Sequence, residues 1–149
     1  MLIVFDLDGT LCDNAAREHL ARKAAGAQPG PEKNAAWDEF HAGIPNDFPN
    51  LTILETLIGL SLLGHTIELW TARPEKYWKD TVAWLTKYNV PYDKLIMRRD
   101  SDWRPSYVVK MEWAREKPPA LVFEDHPQTV KLMRAAGITV AQVGDNECR

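Results

Sequence analysis

The chain has 149 residues, 45% of them hydrophobic and 26% charged, with a formal net charge of −3 and a pI near 5.8. That length suits one buried core and a single domain over 1–149, and the acidic balance gives no global electrostatic reason to grip long nucleic acid, leaving room only for a local basic patch. Cys12 and Cys148 have neither zinc-ligand spacing nor a disulfide framework, which points to a reducing cytoplasmic setting, and no stretch approaches the roughly 18 apolar residues of a membrane span.

Leu2-Ile3-Val4-Phe5 is a short apolar run of β-formers ended by Asp and Gly, the pattern of a fully buried parallel strand. The next regular element is a helix over Leu51 to Leu63. Between them, residues 14–50 form an insertion, with helical stretches at Ala15 to Lys23 and Asn34 to His41 and a Gly/Pro-rich piece, Ala24 to Glu32, that reads as loop. An excursion placed above the end of the first strand is positioned to be a lid. Further strands are expected at Thr66 to Trp70, Lys94 to Met97, Leu121 to Phe123 and Ile138 to Val143, and helices at Glu75 to Tyr88, Ser106 to Glu116 and Gln128 to Ala136. Gly64 and Gly137 follow two of the helices as stop residues. This alternation predicts an α/β fold with a mostly parallel sheet sandwiched by helices. Ligands then bind at the carboxyl ends of the strands.

Four carboxylates fall at such ends: Asp6 and Asp8 after the first strand, Glu124 and Asp125 after the fourth. One Asp after a strand is ordinarily a turn former or helix cap. Two pairs at one sheet edge call for more, because converging carboxylates repel unless a hard cation with oxygen ligands neutralises them. Mg²⁺ fits best, since it accepts a few carboxylates along with phosphate oxygens. Thr71, opening a turn after the second strand, is placed to hold a phosphate oxygen, and Lys110, on the helix after the third, to neutralise phosphate and acids together. In RRDSDWRPS, Trp103 lies among Arg98, Arg99 and Arg104. An indole there could stack on a base while arginines meet phosphate, or fold back as a loop anchor. No G-x-x-x-x-G-K-[ST] kinase loop is present.

FDLDGTL, Thr71, Lys110 and Glu124-Asp125 together resemble the four ordered motifs of the haloacid dehalogenase-like (HAD) hydrolases, which have a Rossmann-like fold and cap insertions. TARPEKYWKDTVAWL, RRDSDWRPSYVVKMEW and FEDHPQTVKLMRAAGITVAQVGDNE, with Arg17 downstream of Asp6, resemble the phosphatase domain of polynucleotide kinase 3′-phosphatases. The resemblance implies a Mg²⁺-dependent phosphoric monoester hydrolase acting on the 3′-phosphate of a nucleotide or nucleic-acid end. Asp6 would be the nucleophile that becomes an aspartyl phosphate, and Asp8 the acid and base. Mg²⁺ would be held by Asp6, the backbone carbonyl of Asp8 and Asp125, with Glu124 supporting it. Thr71 and Lys110 would grip phosphoryl oxygens, and Arg17 and Arg73 would act at the phosphate. Arg104 and Trp103 are candidate substrate contacts from the reading of their own loop, not from the resemblance. Relatives commonly carry Asp-Asp where this chain has Glu124-Asp125, and an acid where it has Ser106. There is no kinase half in this chain, so 5′-phosphorylation is not expected. A 5′-nucleotidase acting on deoxyribonucleoside monophosphates is the alternative enzyme. A non-catalytic phosphate-binding or receiver-like domain is the alternative from another class, and Asp8 argues against it, because a pure binder needs no proton shuttle.

Overall fold

A computed structural model describes residues 1–144. Strands β1 (Leu2–Phe5), β4 (Thr66–Pro74), β5 (Lys94–Arg98), β6 (Leu121–Glu124) and β7 (Val140–Gln142) form a five-stranded sheet in the order β5-β4-β1-β6-β7. Every pairing in it is parallel. Helices α3 (Leu51–Leu62), α4 (Trp78–Lys87), α5 (Ser106–Glu116) and α6 (Pro127–Ala135) cover it.

The period of two along β1 divides the core. Ile3 and Phe5 face one way and pack with Leu54 and Leu57 of α3 and Trp84 and Leu85 of α4. Val4 faces the other way, with Met111 and Ala114 of α5 and Val130 and Met133 of α6. A strand buried on both faces must be apolar throughout, which explains why LIVF shows no alternation.

Helix α5 spans the residues expected from the sequence, Ser106–Glu116. Other boundaries move. The helix expected over Glu75 to Tyr88 is divided into a 3-10 turn, Glu75–Tyr77, and α4. Strand β4 runs through Thr71 to Pro74, so Thr71 does not open a turn. The last strand shortens to Val140–Gln142.

The insertion contains a 3-10 turn at Ala15–Arg17, α1 (Glu18–Gly26), α2 (Pro31–Ala42) and a second 3-10 turn at Ile44–Asn46. The loop expected over Ala24 to Glu32 is reduced to residues 27–30. Pro31 stands at the first position of α2, where its missing N–H costs nothing and its fixed φ favours the helix, so a residue read as a breaker starts a helix instead. Two short strands, β2 (Cys12–Asp13) and β3 (Phe48–Pro49), pair antiparallel across the neck of the insertion. Cys12 is buried and its thiol is pushed up to about 12, chiefly by burial, so it is an inert packing residue. Cys148 lies outside the described residues.

Candidate active site

With β1 flanked by β4 and β6, three strands deliver their carboxyl ends to one place. Asp6 and Asp8 arrive from β1, Thr71 and Arg73 from β4, and Glu124 and Asp125 from β6, and all six are buried. They line a cleft of about 330 Å³ between the sheet edge and the insertion.

Lys110 reaches this edge from α5 and donates to Asp6 Oδ1 and Glu124 Oε2, both at 2.6 Å. Burial alone would lower its pKa, but Asp6 and Glu124 outweigh that and hold the ammonium charged. Thr10 Oγ1 donates to Asp6 Oδ2 at 3.2 Å, and the His126 N–H to Glu124 Oε1 at 3.1 Å. The Glu124 carboxyl is pushed up by burial and by the neighbouring Asp6. The lysine is therefore aimed by Glu124, and Ser106 plays no part in an ion pair with it. Asp6, Glu124 and Asp125 each offer an oxygen within 4.8 Å of the others, close enough for one small cation.

Asp8 faces the opposite way, toward two guanidinium groups. Arg73 Nε and Nη2 donate to its Oδ2 and Oδ1 at 2.9 and 2.8 Å, and Arg17 Nη2 donates to Oδ1 at 2.5 Å. Arg17 is buried at the start of the insertion, with its guanidinium 4.1 Å from the centre of the Phe40 ring. Thr71 Oγ1 accepts from the Arg73 N–H at 3.2 Å, which fixes the backbone that carries this arginine.

No local pattern announces Asp47, which sits in the loop-forming run PNDFPN. It is buried, and its oxygens accept from Arg17 Nε at 2.9 Å and Nη2 at 2.6 Å. Its backbone carbonyl accepts from Trp84 Nε1 at 2.9 Å, which ties the end of the insertion to α4. Asp47 thus holds Arg17 from behind. An Asp47→Asn variant, which keeps the shape and removes the charge, is expected to lose about tenfold or more in kcat/KM. Steady-state kinetics beside a melting curve checks this, and unchanged kcat/KM would show that Arg17 stands without its partner.

In their ionised forms Asp6, Asp8, Asp47, Glu124 and Asp125 face Lys110, Arg17 and Arg73, all buried.

The remaining expected substrate contacts lie at the rim. Trp103 lines the cleft and is 64% exposed, so its indole is not folded back onto the domain. Arg104 is beside it, with its guanidinium held by Asp102 Oδ2 and Glu112 Oε2, each at 2.7 Å. Its charge is therefore already matched.

Residues 1–148 match the family described as the polynucleotide kinase PNKP phosphatase domain. The chain belongs to that family. It is a HAD-type phosphoric monoester hydrolase. Among solved structures, a chain of a Pnkp1/Rnl/Hen1 RNA repair complex aligns with a TM-score of 0.75 at 23% identity, over 98% of this chain and 43% of that one. A haloacid dehalogenase-like hydrolase from Streptococcus pneumoniae aligns with a TM-score of 0.66 at 16% identity, over 99% of this chain and 88% of that one. The class C acid phosphatase from Bacillus anthracis with tungstate bound has the same TM-score and identity, over 99% and 67%. These likenesses establish the fold, and this chain spans less than half of the Pnkp1-complex chain it matches. No curated protein matches by sequence. Among the described residues no helix is long and apolar enough to cross a membrane.

Proposed function

We propose that this phosphatase removes the 3′-phosphate of a nucleotide or nucleic-acid end, with Mg²⁺, through an aspartyl phosphate on Asp6. The observation that carries the mechanism is the division of labour between two carboxylates two residues apart. Asp6 shares Lys110 at the acidic side of the site, whereas Asp8 points to Arg17 and Arg73. Oδ of Asp6 attacks phosphorus as the bond to the sugar oxygen breaks, and Asp8, entering this step protonated, donates the proton that this oxygen needs. Water then attacks the aspartyl phosphate, giving its proton to Asp8 and releasing inorganic phosphate. Arg17, Arg73, Lys110 and Thr71 present donors to the phosphoryl oxygens, where charge must be balanced throughout. Asp6, Asp125 and the Asp8 carbonyl would hold Mg²⁺, with Glu124 beside them, and the ion would supply charge neutralisation of the phosphate. The insertion over 14–50 serves as the lid.

The family match supports phosphate ester hydrolysis at a nucleic-acid end, and the likeness to a chain of an RNA repair complex agrees with it. Phosphate release from 3′- and 5′-mononucleotides and from 3′-phosphorylated oligonucleotides is the test. The expected order puts the 3′-phosphates first, and release from 5′-mononucleotides alone would replace this reading by a 5′-nucleotidase.

A chelator is expected to abolish activity and Mg²⁺ to restore it, whereas Ca²⁺ inhibits. Calcium tolerates looser and higher coordination, so it fills the site while misplacing the nucleophile and phosphate. Full activity in excess chelator would remove the metal from the mechanism.

A further inference from the structure

The cleft has two different ends. Its floor is the charged site, with Asp6, Thr71 and Lys110, and its mouth carries two indoles on separate parts of the fold. Trp103 comes from the loop between β5 and α5, and Trp37 from α2 of the insertion. Trp37 is braced by its neighbours, edge-on to Phe40 with ring centres 5.6 Å apart and stacked on His41 at 6.2 Å. Trp103 has no ring or hydrogen-bond partner among the described residues and is 64% exposed at the cleft, so its indole is available to a ligand and covering it would be favourable.

Two polar atoms along the same cleft lack partners. Ser106 Oγ and Arg98 Nε are buried without a hydrogen bond among the described residues, and both residues line the cleft. Ser106 lies one helical turn before Lys110 on α5, hence on the same face, which places a hydroxyl beside the phosphate end. Buried donors of this kind are costly to leave unmade. A ligand with a phosphate, hydroxyl groups and a flat aromatic end has a counterpart here for each: the charged floor, the unpaired polar atoms and the indoles.

We infer that the mouth of the cleft is a nucleobase site, in which Trp37 and Trp103 hold the base of the nucleoside whose phosphate reaches Asp6. The inference deepens the nucleotide reading above and rests on it for the orientation of the ligand. A volume of about 330 Å³ is at the small end of ligand pockets, which run from roughly 300 to 1,000 Å³, the scale of one small ligand such as a nucleoside. Stacking reads the π face, which every base has, so the site selects an unpaired base with little regard to its identity. One wall belongs to the insertion and the other to the body, and base binding therefore draws the two together. Phe40, which braces Trp37, also carries the Arg17 guanidinium on its ring, so the aromatic wall and the phosphate-facing arginine move as one body.

The test is binding rather than turnover. Asp6→Asn protein is titrated with adenosine, adenosine 3′-phosphate and glycerol phosphate, with indole fluorescence as the readout. Adenosine and its phosphate are expected to quench, and glycerol phosphate is not. Trp37→Ala and Trp103→Ala should each weaken adenosine binding about tenfold, the usual yield of one base–aromatic stack, and Trp37→Phe and Trp103→Phe should recover most of it. Trp37→Phe also guards against a lid that fails to pack without an aromatic ring. In turnover, the alanine variants should narrow the KM preference for adenosine 3′-phosphate over glycerol phosphate by a similar factor. Adenosine that fails to bind, or phenylalanine variants as weak as the alanine ones, would overturn the base site even if nucleotides are hydrolysed. Adenosine binding through the indoles in a protein that releases no phosphate from nucleotides would sustain the base site and defeat the functional reading instead.

Discussion

Asp6→Asn is expected to abolish phosphate release, by on the order of 10⁴-fold or more, in a protein that remains folded. The amide has nearly the shape of the carboxylate but is a poor nucleophile, so the covalent step fails. Folding should survive, because Lys110 retains Glu124 at 2.6 Å. The substitution also removes one negative charge from a site where acids outnumber cations, and it relieves Glu124, whose carboxyl is pushed up by burial and by Asp6. The melting temperature in chelator should therefore hold or rise. Phosphate release at the normal rate by folded Asp6→Asn protein would rule out covalent catalysis at this residue.

Lys110→Met should fail in both respects, in activity and in stability. The ammonium is buried between Asp6 and Glu124, and removing the cation leaves two carboxylates facing each other in a poorly solvated site. Breaking a buried pair from one side costs about 3–5 kcal/mol, which for a chain of this size lowers Tm by about 10 °C. Activity should fall by on the order of 10²-fold or more, because a donor to the phosphoryl oxygens is lost with it. The double variant Lys110→Met/Glu124→Gln separates the two effects. It should recover much of the Tm and none of the activity, since it removes the orphaned charge without restoring the donor. Calorimetry on both variants in chelator, beside phosphate-release assays with Mg²⁺, decides the matter; a single variant as stable as the parent would mean that water already screens this pair.

The legible parts of the chain were those in which composition and period carry the physics. LIVF and SYVVKMEWARE announce a two-sided buried strand and a helix because each buries its residues at the period of its own backbone, and Asp6, Asp8, Glu124 and Asp125 were conspicuous because acids at strand ends have few structural uses in such numbers. Asp47 was not legible. Its partner Arg17 is 30 positions away, and contact across that distance depends on how the insertion turns back at its neck, which no local pattern encodes. Pro31 misled in the other direction, since a proline beside glycine reads as loop although the same ring suits the first turn of α2. Trp37 passed as an ordinary residue of a helix, because the face it presents acquires meaning only when the loop bearing Trp103 is across the cleft.

The neck of the insertion is a ladder only two residues wide on each side, Cys12 opposite Pro49 and Asp13 opposite Phe48. Paired strands stand about 4.7–4.9 Å apart, so the excursion leaves and re-enters the body at nearly the same point. A segment with adjoining ends can be lengthened, shortened or exchanged with little disturbance to the sheet beneath. Here the exchange would carry a condition: Arg17 and Asp47 both lie inside those boundaries, so any replacement loop would have to bring its own guanidinium, and a carboxylate to hold it, or leave Asp8 facing Arg73 alone.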